Sequence, residues 1–563
     1  MKKQWNLKPK ANEQLVAELQ ESLGVAKIVA ELLVQRGITT FETAKKFFRP
    51  NLSHLHDPFL MKDMDSAVAR LSTAIQQGEN ILVYGDYDVD GTTAVSLMYS
   101  FINSIHDQVE YYIPDRYAEG YGVSFMGVDY AANNQFSLII ALDCGIKAVE
   151  KVDYAREKGI DFIICDHHRP GDFVPKATAV LDPKQSDCLY PYKELSGCGV
   201  GFKLIQAYCQ KSKIPFEKII PYLDFLVVSI AADIVPITGE NRILAHYGLK
   251  QLNENPRIGL KALMEVCDRD KSFTISDVVF GLAPRINAAG RIEHGAKAVE
   301  LLVQEDLEVA KAKAQAVNQH NLKRRELDQS ITEEALQMIV TDAKSTVVFH
   351  PDWHKGVVGI VASRLIESHY RPTIVLTENN GKLTGSARSV KGFDVYDAID
   401  SCSEYVEQFG GHKYAAGLTL KKENLEAFTA KFESVVAETI QEEMLIPQVS
   451  IDAVLNLADI DHKLYRILRQ MAPFGSGNMS PVFMSKQVVD RGYGRKIGQE
   501  QTHLKLSVTD ANRSQFLDCI GFGMADKFEL IKDGQQFDIA YALEENEWNG
   551  NVNLQLRLKD IYN

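Results

Sequence analysis

From residue 81 the chain alternates short, continuously apolar runs with longer stretches at helical spacing. The runs cover residues 81–84, 109–113, 138–142, 162–165 and 177–181. Strands that are apolar throughout, separated by crossovers of helical length, predict a parallel sheet covered by helices on both faces. Ahead of them, residues 11–35 carry apolar positions at helical spacing and predict a small helical lead-in, joined by a connector at 50–58. Behind them, an apolar helix over 223–232 delivers Asp233, and a long connector follows. Its stretch 284–291 is polar and punctuated by glycine, and 301–339 reads as one long helix or a bent pair with a solvated, charge-rich face.

A second α/β unit is predicted from strands at 346–349 and 373–376, a helix over 357–368 between them and a closing helix over 425–443. It contains two phosphate-friendly stretches, Gly385-Ser386-Ala387-Arg388-Ser389 and Gly410-Gly411-His412. The remainder is β-rich, with strands expected at 482–489, 503–509, 516–522, 537–543 and 552–558 and a turn at Trp548-Asn549-Gly550-Asn551. Five strands in that length fit a small OB-type barrel, a frequent binder of single strands, and a purely structural barrel is the other reading. The resulting plan is a lead-in (1–50), a parallel-sheet α/β domain (51–240), a helical connector (241–343), a second α/β domain (344–446) and a C-terminal OB-like β-barrel (447–563).

Length and composition fit this plan. At 563 residues the chain is too long for one core, and 45% hydrophobic with 24% charged residues is an ordinary globular balance. No apolar run approaches a membrane span, and the opening Met1-Lys2-Lys3 is followed by no apolar signal segment. The eight cysteines form no C-x-x-C pair and sit in apolar segments, as expected of reduced core thiols in a cytoplasmic protein. A net charge of −13 does not advertise a nucleic-acid binder, but charge is unevenly spread. Between residues 482 and 514, six bases (Lys486, Arg491, Arg495, Lys496, Lys505, Arg513) face three acids (Asp490, Glu500, Asp510).

The chemistry concentrates at strand ends. The first strand runs into Asp86-Tyr87-Asp88-Val89-Asp90-Gly91, with three carboxylates on alternate residues. Such crowding is repulsive unless a cation sits within it, and oxygen ligands suit Mg²⁺ or Mn²⁺. An EF-hand loop starts the same way, but its twelfth position requires Glu and here is Leu97. The third strand ends in Asp143-Cys144-Gly145 and the fourth in Asp166-His167-His168. Ligands of open parallel sheets bind beyond the carboxyl ends of the strands, so these clusters and Asp233 converge on one edge. An isolated Asp-His-His could be a capping turn; the four clusters together match a two-metal hydrolytic site.

These residues carry a resemblance. Asp86 to Gly91, Leu142-Asp143-Cys144-Gly145, Asp166-His167-His168 and Asp233 resemble the motif set of the DHH phosphoesterase superfamily. Ser386-Ala387-Arg388-Ser389 and Gly410-Gly411-His412 resemble its companion DHHA1 domain. The stretches 112–122, 284–291 and 473–478 are similar to the bacterial branch of single-strand-specific 5′→3′ DNA exonucleases. The resemblance spans nearly the whole chain. It implies a metal-dependent phosphodiesterase that releases 5′-mononucleotides by two-metal hydrolysis and serves DNA repair and recombination. Asp88, Asp90, Asp143, His167 and Asp233 are the implied ligands of two Mn²⁺ or Mg²⁺ ions, with Asp143 bridging and catalytic. Family II pyrophosphatases place a histidine four residues before the Asp-x-Asp pair; here that position is Tyr84, and Asp86 is the local substitute ligand. His168 would orient the scissile phosphate or protonate the leaving oxygen, and His412 would contact the phosphate from the second domain. Ser386 and Arg388 suit a phosphate oxygen, and Arg116 with Arg285 or Arg291 suit the 5′ phosphate or the strand. Single-stranded DNA is the implied partner, with a helicase and a single-strand-binding protein beside a monomeric enzyme. The same core also serves phosphoesterases of short oligonucleotides or cyclic dinucleotides, and a non-catalytic DNA-binding scaffold of the family is the remaining alternative.

Overall fold

The computed structural model describes residues 2–563 except 270, 514 and 549, with backbone only at 548 and 551. The chain divides into two compact units. One comprises residues 49–325 and 473–479, the other residues 1–48, 326–472 and 480–563.

The first unit is built on a five-stranded sheet, parallel throughout. Its strands lie in the order Val109–Tyr112, Ile81–Gly85, Leu138–Leu142, Asp161–Cys165, Ala179–Leu181. Numbered along the chain this is 2-1-3-4-5, so the order reverses between Ile81–Gly85 and Leu138–Leu142. A crevice opens at such a switch point, beyond the carboxyl ends of the strands. Successive strand residues feed two separate cores, as a sheet buried on both faces requires. Val83, Ile140 and Ile163 pack with the helices Met64–Gln77, Val89–Asn103, Gly197–Ser212 and Leu223–Ala232. Leu82, Ile139 and Phe162 pack on the other side with Phe125–Asn133 and Val149–Glu157.

The stretch 284–291, polar and glycine-punctuated in sequence, lies within the helix Ala283–Ile292, which follows a π-helical segment, Val278–Leu282. Its Pro284 sits in the first turn, where a missing N–H costs nothing. The charge-rich stretch 301–339 resolves into the end of Ala296–Leu302 and a single 31-residue helix, Leu307–Gln337.

In the other unit, a five-stranded sheet pairs Thr346–Phe349 with Thr373–Asn379 in parallel. Lys382–Arg388, Ala415–Leu420 and Val406–His412 extend it antiparallel. The C-terminal strands Phe483–Asp490, His503–Thr509, Leu517–Gly521, Gln536–Trp548 and Asn551–Tyr562 fall where the alternation predicts them. They pair in the order Phe483–Asp490, Gln536–Trp548, Asn551–Tyr562, Leu517–Gly521, His503–Thr509, and two residue pairs also join the first to the last. Of the expected turn at 548–551, Asn549 lies outside the described residues. Strands not predicted from the sequence are Gln4–Leu7, Lys382–Arg388, Val406–His412, Ala415–Leu420, Gln448–Ile451, Ala453–Val454 and Arg495–Ile497. Gln4–Leu7 pairs in parallel with Gln448–Ile451, so the lead-in is tied into this unit by backbone hydrogen bonds. Among the described residues no helix is long and apolar enough to cross a membrane.

One buried ion pair holds the first unit together behind the sheet. Lys203 Nζ lies 2.7 Å from Glu240 Oε1, with the two side chains 0% and 1% exposed. Tyr190 Oη and the His56 amide donate to the same carboxylate, and Lys203 also donates to the His56 carbonyl and Gln206. Breaking a satisfied buried pair strands the remaining charge. Glu240→Gln is therefore expected to destabilise this unit by about 3–5 kcal/mol, read as a lower urea midpoint; an unchanged midpoint would refute the assignment.

Candidate metal centre

At the switch point the first strand hands over to a helix within three residues. Asp88 caps the helix Val89–Asn103, its Oδ1 accepting from the Gly91 amide at 2.9 Å. Gly91 is obligatory because a Cβ there would stand 2.4–2.8 Å from the Asp86 backbone. The turn therefore stacks Asp86, Asp88 and Asp90 against the mouth of the crevice.

Asp90 is the most constrained of the three. Its Oδ2 accepts from the Gly197 amide at 2.7 Å, and its Oδ1 from the Cys198 amide at 2.9 Å and the Ser229 hydroxyl at 2.7 Å. The helix Gly197–Ser212 thus aims its N-terminal amides at a carboxylate, as its dipole favours. Ser196 caps that helix, accepting from the Gly199 amide. Gly197 permits the approach: a Cβ there would lie 2.6–2.8 Å from the Asp143 side chain and Cα.

Asp143 follows the third strand directly, at φ +59°, a left-handed backbone that costs energy for a residue other than glycine. Its side chain is buried, and Oδ1 has no hydrogen-bond partner. Burial, then the charges of Asp90 and Asp88, pushes its carboxyl well above the usual range. Asp88 is raised by burial and by Asp90. Asp86 is raised well above the usual range by burial and by Asp88, against the backbone amides of Tyr87 and Gly122; its Oδ2 has no partner, and the Gly122 amide is 3.4 Å from its Oδ1. Asp233, which terminates Leu223–Ala232, is raised to about 8 by partial burial, Asp90 and Asp88.

His167 faces this crowd with a defined tautomer. Its Nδ1 lies 3.0 Å from the Leu195 carbonyl, so Nδ1 carries the proton. Burial lowers its pKa and keeps the ring neutral, leaving the bare Nε2 3.2 Å from Asp143 Oδ1, 3.6 Å from Asp233 Oδ2 and 3.8 Å from Asp90 Oδ2. A lone pair directed at three carboxylate oxygens is repulsive by itself and is the donor set a divalent cation requires. Among the described residues, two groupings have ligand atoms within 4.8 Å of one another: Asp90, His167, Asp233 and Asp143, His167, His168. The orphaned oxygens, the bare imidazole nitrogen and the mixed N/O donors all fit Mn²⁺ or Mg²⁺.

Asp166 stands behind these groups. Its Oδ1 accepts from both His167 and His168 amides and from His168 Nδ1 at 2.7 Å, and its Oδ2 from the Ile146 amide. Burial opposes ionisation, but these bonds outweigh it and hold Asp166 at about 2. Burial likewise opposes protonation of His168, and the Asp166 carboxylate overrides it, raising His168 to about 9. His168 Nε2 meets the Tyr121 hydroxyl at 3.1 Å.

Tyr84 stands away from the metal groupings. Its ring packs in the core against Tyr112, and its hydroxyl donates to the Gly122 carbonyl and accepts from the Ser124 amide. It braces the loop whose Gly122 amide points at Asp86 and whose Tyr121 reaches His168. Asp86 and Asp88 belong to neither close grouping; the buried Oδ2 of Asp86 has no hydrogen-bond partner.

The arginines divide. Arg116 stacks its guanidinium 4.2 Å over the Tyr87 ring, with Nε buried and without a partner. Arg285 is turned inward, donating to Asn318 and to the Gly281 and Val266 carbonyls. The Arg291 carbonyl accepts from the Tyr117 hydroxyl. In the other unit, Arg388 donates to Ser386 Oγ and the Ala387 carbonyl, and burial lowers its pKa. Gly359, in the first turn of Val358–Ser368, clears both: a Cβ there would meet Arg388 Nη2 and Ser386 Oγ at 3.0 Å. His412 is exposed at the end of its strand, in register with Ala415 and through it with Arg388.

Sequence reasoning passed over several of these parts. Ser196-Gly197-Cys198-Gly199 carries a visible signal, a capping serine followed by glycines. Asp182 follows the fifth strand; it is fully buried with Oδ2 unpartnered, and burial raises it to about 7. Tyr121, Ser229 and Gly359 have no signal of their own, because their roles exist only in the fold.

Fold and site define a metal-dependent phosphoesterase of the DHH class. Three family models match in chain order: the N-terminal domain of the DHH family (residues 80–230), the DHHA1 domain (337–438) and the RecJ OB domain (451–560). The chain is 39% identical over 565 residues to the single-stranded-DNA-specific exonuclease RecJ of Bacillus subtilis, covering 99% of this chain and 71% of that protein. It is 32% identical over 529 residues to that of Escherichia coli, covering 89% and 90%. The crystal structure of Thermus thermophilus RecJ in complex with Mn²⁺ superposes with a TM-score of 0.86 at 27% identity, covering 100% of this chain and 79% of that one. The chain belongs to the RecJ family.

Gly197→Ala tests the construction of the site. The added methyl has no room beside Asp143, so Mn²⁺ affinity is expected to fall by an order of magnitude or more (about 1.4 kcal/mol per tenfold) while the fold is retained. Calorimetry reads it; wild-type affinity would show that the approach of the helix to Asp143 is not needed.

Proposed function

We propose that this chain is a single-stranded-DNA-specific exonuclease that removes 5′-mononucleotides from the 5′ end, serving DNA repair and recombination. The observation that carries it is the bare His167 Nε2 directed at Asp90, Asp143 and Asp233. The assignment of ligands follows from it: Asp88, Asp90, Asp143, His167 and Asp233 hold two Mn²⁺ or Mg²⁺ ions, with Asp86 completing the set where relatives use histidine. When bound, the ions supply Lewis-acid activation of water and neutralise charge at the scissile phosphate. Asp90, clamped by the helix Gly197–Ser212, keeps its place while charge redistributes. His168, protonated against Asp166, offers its Nε2 proton to a phosphate or leaving oxygen, and Tyr121 orients that ring. Arg388, desolvated and with no carboxylate paired to it among the described residues, suits a phosphate oxygen together with Ser386 and His412. Arg116 suits the 5′ phosphate, and Arg291 the strand beyond it. Arg285 was a candidate for the same role, but its internal bonds support a structural one.

The OB-type domain holds the strand. Tyr493, Phe516 and Phe522 are 59%, 45% and 53% exposed, and cations accompany them. Arg491 lies 3.8 Å from the Phe516 centroid and 5.5 Å from that of Tyr493, and Arg557 lies 5.4 Å from that of Phe522. A recess of about 320 Å³ is lined by Arg491, Tyr493, Arg495, Lys505 and Asp518. Bases stack on such rings whatever their sequence, and the cations take the phosphates. Such an enzyme needs a strand already separated, which fits a helicase and a single-strand-binding protein as partners of a monomer. The eight cysteines stand as free thiols, which supports a cytoplasmic location.

Asp143→Ala is expected to abolish nucleotide release while single-strand binding is retained. End-labelled single-stranded and duplex DNA with Mn²⁺, Mg²⁺ or chelator reads both, and first release from the 3′ end would defeat the polarity. Arg491→Ala combined with Phe516→Ala should weaken binding to long strands by about tenfold or more, at about 1–3 kcal/mol per stacked base. It should also flatten the salt dependence while leaving cleavage of short strands intact; an unaltered salt slope would remove this face from the DNA path.

A further inference from the structure

The segment that leaves the metal centre after Asp233 carries an unexplained strain. Ile234 sits at φ +58°, in the left-handed region. Of the eleven residues other than glycine with positive φ among the described residues, it is the only β-branched one and the only one with an apolar side chain. Branching at Cβ makes this conformation particularly unfavourable. The position is the first beyond the C-cap of Leu223–Ala232, where helices commonly place glycine. Elsewhere in this chain helices that end in left-handed backbone do so on glycine or an unbranched polar residue: Gly24 after Glu13–Leu23 at φ +64°, Gly78 after Met64–Gln77 at φ +68° and Lys213 after Gly197–Ser212 at φ +57°.

Packing does not offset the strain. Ile234 is 64% exposed, whereas Val235 and Ile237 beside it are buried. Asp233 Oδ2 stands 3.6 Å from His167 Nε2, so the exposed isoleucine projects from the residue next to the metal centre. Strain without a stabilising contact, held beside a reactive centre, marks a functional position. The geometry points to a substrate contact: Ile234 presents its apolar side chain to the base of the nucleotide whose phosphate is cleaved. An aliphatic surface discriminates poorly among bases, as a sequence-independent nuclease needs, and it favours a strand over a bare phosphate ester. The inference rests on the exonuclease reading above and assigns that site a feature for recognising the terminal nucleoside.

Ile234→Asn keeps a residue that tolerates the left-handed region while removing the apolar surface; Ile234→Val retains the surface. Two 5′-phosphorylated oligodeoxynucleotides serve as substrates in Mn²⁺, one ordinary and one beginning with an abasic tetrahydrofuran residue. The Asn variant is expected to unfold at the same temperature as wild type or higher and to bind Mn²⁺ equally well. Its KM for the ordinary strand should rise about tenfold, the scale of one buried apolar side chain. On the abasic strand it should match wild type, and Ile234→Val should behave as wild type on both. Equal KM values for the Asn variant and wild type on the ordinary strand overturn the inference. So does a loss of Mn²⁺ affinity in the Asn variant, which would make Ile234 a positioning residue for Asp233. Failure of wild type itself to release 5′-nucleotides would instead overturn the exonuclease reading.

Discussion

The structure around the metal centre depends on one confrontation, a helix N-terminus driven against a buried carboxylate. Asp90 receives two amides from Gly197–Ser212 and a hydroxyl from Ser229, and in return fixes where that helix begins. Without those donors a third aspartate in the turn would only add repulsion to Asp86 and Asp88. With them it becomes a fixed wall, and the repulsion falls on Asp86, Asp88, Asp143 and Asp233, whose carboxyls are all raised because a second or third bare charge is costly there. The site is electrostatically incomplete by construction. Two histidines adjacent in sequence respond to that crowd in opposite ways: burial lowers His167, while the Asp166 carboxylate raises His168.

Part of that difference comes from a single buried residue. Asp166 spends its hydrogen-bonding capacity on three amides and the His168 imidazole, while the His167 ring is oriented by the Leu195 carbonyl. The three residues of the signature therefore stand in different surroundings: Asp166 is held by its donors, the His167 ring is lowered by burial, and the His168 ring is raised by Asp166. Carboxylates of the same type in the same crevice take different roles because their neighbours differ in donor count.

Much of this was legible in the sequence. Five apolar runs predict the sheet, and the rule that ligands lie beyond the carboxyl strand ends gathers Asp88, Asp90, Asp143 and His167 from chain order alone. What sequence could not supply were the contacts made across long separations. Gly197 looks like any helix-start glycine until Asp143 is placed against it, and Tyr84 looks like a missing ligand until its hydroxyl is found on the Gly122 loop. Arg285 and Arg116 carry the same charge in equally suggestive motifs, yet one spends its donors on carbonyls and the other lies over a tyrosine ring. Short strands such as Gln4–Leu7 have too few residues to show a period, and a partner at Gln448–Ile451 is what makes them strands.

Residues 473–479 are compact with the unit that contains the metal centre, although the chain reaches them only after building much of the other unit. The Ser476 carbonyl accepts from the Ile237 amide, the Pro473 carbonyl lies 3.4 Å from Arg242 Nη1, and Gly475 packs without a side chain against Ile237 and Ile275. This strap thus backs the corner that carries Asp233. Contacts across so many residues form late, since the entropy of closing the loop is lost before the contacts compensate it. A newly made chain consequently holds an aspartate-rich crevice whose corner at Asp233 is unsupported until the downstream segment has folded back. In a nuclease, such timing delays a competent site until the rest of the molecule is in place.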